Sequence, residues 1–144
     1  MTIYIEINLV DTKNNNNKRI TIIDDDIDIT NLFKLFLESN GYRVEAFTDP
    51  IKALNNFRKN IPDLVILDLK IPNIDGLTIY KKIKEIDDKA IICLTSADHN
   101  YIQNLRKGII DIEKIVIYKP ILLKDLKNKI DAFLVNDTHL KTLE

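Results

Sequence analysis

From residue 19 onward, strand-length apolar runs alternate with helix-length amphipathic segments, and this alternation constrains the chain more than any other feature. The runs lie at 19–23, 43–47, 64–67, 90–94 and 115–118. Between the first two, residues 29–39 carry Ile29, Leu32, Phe33 and Phe36 at helical spacing and stop at Asn40-Gly41. Asp49-Pro50 has the form of a cap followed by a first-turn proline, and it leads a helix expected to turn Ile51, Leu54 and Phe57 inward. Residues 77–86 put Ile79, Ile83 and Ile86 on one face, and helices at 100–107 and 122–134 complete the set. Strands joined by helices imply a parallel sheet covered on both faces, which agrees with the continuous apolar runs. Right-handed crossovers then reduce the choice to a doubly wound five-stranded α/β fold.

In such sheets ligands bind beyond the carboxyl ends of the strands, near a topological switch point. Asp24, Asp25 and Asp26 follow the first strand, Asp68 the third, Thr95 and Ser96 the fourth, and Lys119 and Pro120 the fifth. Taken one at a time, an Asp after a strand is often a turn former, and Lys-Pro is often a surface turn. Their joint occurrence at one sheet edge points instead to chemistry. Carboxylates within a few ångström repel one another and call for a compensating cation. Oxygen-only ligands select magnesium or manganese. A metal, a lysine and a hydroxyl around one carboxylate suit capture of a phosphoryl group, with cations on its equatorial oxygens and the carboxylate attacking in line.

The 144 residues are enough for one domain with a single sizeable core. Lys and Arg number 21 against 22 Asp and Glu, a balance with no global attraction for nucleic acid or anionic lipid. One cysteine, Cys93, excludes an internal disulfide framework, and with two histidines it leaves little for zinc. No apolar run approaches the ~20 residues of a membrane span. The opening MTIYIEINLVD lacks the layout of a signal peptide, so a cytoplasmic location is expected. The Asn14–Asn17 stretch separates an N-terminal extension, residues 1–18, from the domain at 19–135; residues 136–144 are expected to form a tail. In the extension Ile3, Ile5, Ile7 and Leu9 alternate, and the segment reads either as an extra strand or as a frayed tail.

The segments ITIIDDD, DLVILDLKIPNIDG, CLTSAD and IYKP resemble the receiver domain of two-component response regulators, over roughly residues 19–135 and in that family's order. The resemblance implies a flavodoxin-like fold and a phosphoprotein switch rather than an enzyme. It places the acidic pair at Asp24 and Asp25, the phospho-accepting aspartate at Asp68, the switch hydroxyl at Thr95 and the phosphate-contacting lysine at Lys119. Magnesium would be held by Asp25, Asp68 and the backbone carbonyl of Lys70, with Asp24 acting through water. Pro72, Asp75 and Gly76 match the loop before the third helix, and the Lys119-Pro120 bond would be cis. A sensor histidine kinase or phosphotransfer protein would donate the phosphoryl group. Only about ten residues follow the last expected helix, so the expectation is a stand-alone receiver in a phosphorelay, acting by protein contact or by passing the phosphoryl group onward. That contact could include homodimerisation through the face of helix four, strand five and helix five.

Several positions depart from the family's pattern. The stretch KGIIDIEKIVIYKP is several residues longer than usual, and Val116 stands where an aromatic switch residue is usual. Lys70 and Ala97 flank the phosphoryl site. Tyr118 lies on the same strand face as Val116. It either packs on the last helix with its hydroxyl in water or takes over part of the switch role. A receiver-like interaction module without phosphorylation is one alternative. A haloacid-dehalogenase-type phosphatase is another, since Asp26, Asp28 and Thr30 fit its Asp-x-Asp-x-Thr signature. An EF-hand reading fails, because Ile29 and Leu35 occupy positions that need glycine and glutamate. Cys93 reads as a small buried hydrophobe, and His99 and His139 lack partners that would suggest metal binding or catalysis.

Overall fold

Five strands form one parallel sheet, and the elements around it follow the alternation in the sequence. The computed structural model describes residues 17–109 and 111–142. In chain order the elements are β1 (Arg19–Ile23), α1 (Ile27–Ser39), β2 (Arg43–Phe47), α2 (Pro50–Lys59), β3 (Leu64–Asp68), β4 (Lys70–Ile71) and β5 (Ile74–Asp75). They continue as α3 (Gly76–Ile86), β6 (Ile92–Ser96), α4 (His99–Leu105), α5 (Ile112–Ile115), β7 (Val116–Tyr118) and α6 (Leu123–Thr142). The sheet order is β2-β1-β3-β6-β7, with β4 and β5 forming a separate antiparallel pair. After β1 the chain adds β2 on one side and then crosses back to place β3 on the other. The switch point therefore lies between β1 and β3, the strands that end at Asp24 and Asp68.

Alternation along the strands feeds two cores. Ile20, Ile22, Leu64, Ile66, Cys93 and Ile117 pack with Phe33 and Leu37 of α1 and Leu126, Ile130 and Leu134 of α6. Ile23, Val65, Leu67, Ile92, Leu94 and Val116 pack on the opposite side with buried residues of α2, α3, α4 and α5. Every residue of β3 and β6 is buried, so these runs lack the polar alternation of a half-exposed strand.

Several local expectations are corrected. The fourth strand spans 92–96 rather than 90–94, so Thr95 and Ser96 lie within it; threonine is β-branched and suits a buried strand. The fifth strand starts at Val116, because Ile115 closes the short helix α5 that takes up the extra length before it. Helix four spans 99–105 rather than 100–107. The last helix runs to Thr142, past the expected end at 134, so the backbone of 136–142 is helical where a tail was expected. Ile51 points outward and is 54% exposed, leaving Ala53, Leu54 and Phe57 to face the core. On α1 the buried positions are Thr30, Phe33 and Leu37, and Leu32 is exposed. The alternating segment from Ile3 to Leu9 lies outside the described residues.

The helix signals hold at the level of atoms. Asp49 caps α2 by accepting the Ile51 N–H at 2.9 Å, with Pro50 in the first turn. Gly41, just past α1, adopts φ 94°, a conformation that glycine reaches without steric cost. Among the described residues no helix is long and apolar enough to cross a membrane.

Candidate functional site

The carboxyl ends of β1, β3, β6 and β7 bring together most of the residues singled out above. Asp24 follows β1 and Asp68 closes β3; they are 3% and 7% exposed. Asp25, the next residue, is exposed at the mouth. Carboxylate oxygens of these three aspartates lie within 4.8 Å of one another. Lys119, after β7, reaches across: its Nζ donates to Asp24 Oδ2 at 2.6 Å and lies 3.4 Å from Asp68 Oδ2. Its own N–H donates to the Ser96 carbonyl at 2.9 Å, and the Lys119-Pro120 peptide is cis. Thr95 sits beside Asp68 in the β3–β6 register and is buried. Lys70 donates its backbone N–H to Asp68 Oδ1 at 3.3 Å.

Burial is the main force on Asp68. It raises the carboxyl to about 6, the Asp24 charge adds to the rise, and Lys119 and the Lys70 N–H oppose it. Burial alone would lower the Lys119 ammonium, but the hydrogen bond to Asp24 and the charges of Asp68 and Asp24 outweigh it and hold that group above its ordinary value. One ammonium thus serves two buried carboxylates, while Asp25 adds a third acid beside them. Such a donor set, oxygen only and short of positive charge, fits a hard divalent cation.

The Asp-x-Asp-x-Thr signature is spent on helix formation. Asp26 caps α1, accepting the N–H groups of Asp28 and Ile29, and Thr30 Oγ1 donates back to the Ile27 carbonyl. Gly76 opens α3. Its φ is not positive; a Cβ there would come within 2.6 Å of Leu69 Cα and O, so the glycine is required by space.

The model of the response regulator receiver domain matches residues 20–131. The chain belongs to this family. The receiver is 31% identical over 126 residues to the transcriptional regulatory protein TrcR of Mycobacterium tuberculosis, covering 85% of this chain and 48% of that protein. It is 33% identical over 119 residues to the response regulator MprA of a Mycobacterium species, covering 81% and 50%. The chain therefore spans about half the length of the curated relatives it matches. A CheY-like receiver domain protein from Methanospirillum hungatei superposes with a TM-score of 0.74 at 26% identity, covering 85% of this chain and 97% of that one. A two-component response regulator from Clostridium difficile gives 0.70 at 29% identity, covering 81% and 95%. Receivers of this family are signalling domains, phosphorylated on aspartate, that bind magnesium at an acidic pocket. The acidic cluster of this receiver is Asp24, Asp25 and Asp68.

Sequence reasoning missed a second set of contacts beside this site. Lys70 Nζ donates to Asp98 Oδ2 at 2.6 Å. His99 stacks on Tyr118, with ring centroids 4.1 Å apart and planes 7° from parallel. The Tyr118 hydroxyl donates to Glu113 Oε2 at 3.1 Å in an exposed pair, and the ring packs against the core on the α4 side of the sheet. Lys70 and Asp98, and His99 and Tyr118, are far apart in the chain, and only the folded sheet edge brings them together.

Proposed function

We propose that this receiver accepts a phosphoryl group on Asp68 from a phosphohistidine of a sensor histidine kinase or phosphotransfer protein, and passes the signal on by phosphorylation-dependent protein contact. The observation that carries the reading is one carboxylate, Asp68, held at the switch point between Lys119 and the Asp24–Asp25 pair. An Asp68 carboxylate oxygen forms the new P–O bond as the P–N bond to the donor imidazole breaks, and the electron pair stays with the imidazole nitrogen. Asp25, Asp68 and the Lys70 carbonyl would hold magnesium, with Asp24 assisting through water. When bound, the metal neutralises charge on the transferring oxygens. Lys119 places an ammonium against one phosphoryl oxygen, and the Thr95 hydroxyl donates to another. Tyr118 shares in the readout on the face of α4, β7 and α6, which also serves any homodimer. The unit responsible is residues 19–135, acting in the cytoplasm.

Replacing Asp68 by Asn tests the assignment. The amide lacks a nucleophilic oxygen anion, so incubation with a phosphohistidine donor should leave the variant without the added phosphoryl mass that the wild type gains. Full, acid-stable labelling of Asp68→Asn would overturn the assignment. Failure of the wild type with every donor tried would favour the interaction module without phosphorylation.

A further inference from the structure

A chain of polar and ring contacts leads from Asp68 to the surface without passing through Thr95. The Lys70 N–H donates to Asp68 Oδ1 at 3.3 Å, and the same residue's ammonium donates to Asp98 Oδ2 at 2.6 Å. Asp98 is the cap of α4: its Oδ1 accepts the Tyr101 N–H at 3.0 Å, and its own N–H donates to Ser96 Oγ at 3.0 Å. The Lys70 ammonium also lies 6.0 Å from the centre of the Tyr101 ring, whose hydroxyl bonds to Asp75 at the end of β5. The residue after the cap is His99, stacked on Tyr118. Tyr118 bonds to Glu113, which Arg106 grips through Nε at 3.3 Å and Nη2 at 2.7 Å.

We propose that the Lys70–Asp98 pair is a strap. It holds the start of α4 while Asp68 is free, and it opens when Asp68 carries a phosphoryl group, Lys70 then turning to the phosphoryl oxygens and freeing Asp98. The inference rests on the reading of Asp68 as the acceptor. A single ammonium two residues from Asp68 has two competing acceptors, a carboxylate and a phosphoryl group whose charge approaches −2. The pair is open to water, with side chains 59% and 35% exposed, so it is weak and cheaply exchanged. Differential contacts in the two states are what a ligand-driven switch requires. Freeing Asp98 alters the cap from which His99 reaches Tyr118, so the change arrives at the α4–β7 surface even though Val116 provides no aromatic ring. The weakness of the pair limits its own contribution to a few-fold shift between states.

The experiment uses the full chain with magnesium and beryllofluoride, a phosphoryl mimic for carboxylates, followed by NMR at the Asp68 and Thr95 amides and the His99 and Tyr118 rings. In the wild type both groups of signals should move on addition. Asp98→Asn keeps an amide oxygen to cap α4 but loses the charge. Its free form should show the His99 and Tyr118 signals displaced part of the way to the activated positions, with beryllofluoride binding a few-fold tighter. Lys70→Met should displace the same signals, and the double variant should add nothing to it. Ring signals in free Asp98→Asn that coincide with wild type would overturn the strap. If beryllofluoride moves the Asp68 and Thr95 amides but not the two rings, only the strap falls. If it leaves the Asp68 and Thr95 amides in place, the acceptor reading falls and takes the strap with it.

Discussion

Asp68 lies between an acid and an ammonium and is largely buried, and this sets its protonation. An exposed aspartate has an ordinary value of 3.8, whereas burial first and then Asp24 raise Asp68 to about 6. Between these values the folded protein holds a proton that the unfolded chain has lost. The group therefore favours folding fully below about pH 4, and that contribution is lost as pH rises through about 6. Asp68→Asn should accordingly stabilise the metal-free protein at pH 7.5 by about 1–2 kcal/mol, with the gain fading toward pH 4. Thermal melts at the two pH values check this, and an equal gain at both would contradict it. Asp25→Ala removes an exposed carboxylate from the cluster. It should weaken magnesium binding, read by titration calorimetry, by about tenfold or more. Asp24, Asp25, Asp68, Thr95 and Lys119 were legible in the sequence because each ends or follows an apolar run. The Lys70–Asp98 pair was not, since its partners lie 28 residues apart and nothing in the pattern of either segment points to the other.

Elements were legible where a full apolar period and a boundary signal coincided; α6, which has no such stop signal, runs eight residues past its expected end. Helices α1 and α2 carried a stop or a cap beside a periodic apolar face and α3 a periodic face alone; α1 and α3 appear within two residues of their expected bounds, and α2 starts at Pro50 as expected. The β4–β5 pair and α5 were not foreseen, because elements of two to four residues contain no full period to read. Ile51 misled because its spacing suits an inward face, yet it starts α2 beside Asp25, Pro72 and Ile74 at the open end of the sheet. Two substitutions test the element-level account. Gly76→Ala forces a Cβ onto the Leu69 backbone, which has no flexible end to yield, and should destabilise by about 1–3 kcal/mol in denaturant unfolding. A neutral result would show that the β5–α3 junction is looser than its 2.6 Å approach implies. Asp49→Ala removes the acceptor that caps α2 and should cost about 1 kcal/mol in the same assay.

At the scale of the whole molecule, the doubly wound order divides the protein into two faces with different work. The α1–α6 face is an aliphatic and aromatic core that shares the sheet but contributes few groups to the strand ends. The opposite face holds α4, α5 and the Val116–Tyr118 side of β7, all joined to the core behind Asp68 and Thr95. A charge arriving at Asp68 therefore meets its adjustable contacts on one side of the sheet, where exposed polar pairs hold short elements in place. Elements of this kind, with few buried contacts, open at lower free energy than the paired strands between them. Phosphorylation should then change amide exchange across 98–118 while leaving α1 and the centre of β1 and β3 as they were. Tyr118 is the residue on which that response converges, stacked on His99 from α4 and bonded to Glu113 from α5. Tyr118→Ala removes both contacts without touching Asp24, Asp25, Asp68 or Lys119, so phosphoryl uptake should proceed at the wild-type rate. The same variant should lose most of the phosphorylation-dependent change in exchange at 98–118, and with it the change in partner binding or dimerisation. Hydrogen exchange read by mass spectrometry, with and without phosphoryl donor, separates the two effects. A full response in Tyr118→Ala would mean that Thr95 and the sheet edge carry the signal by themselves.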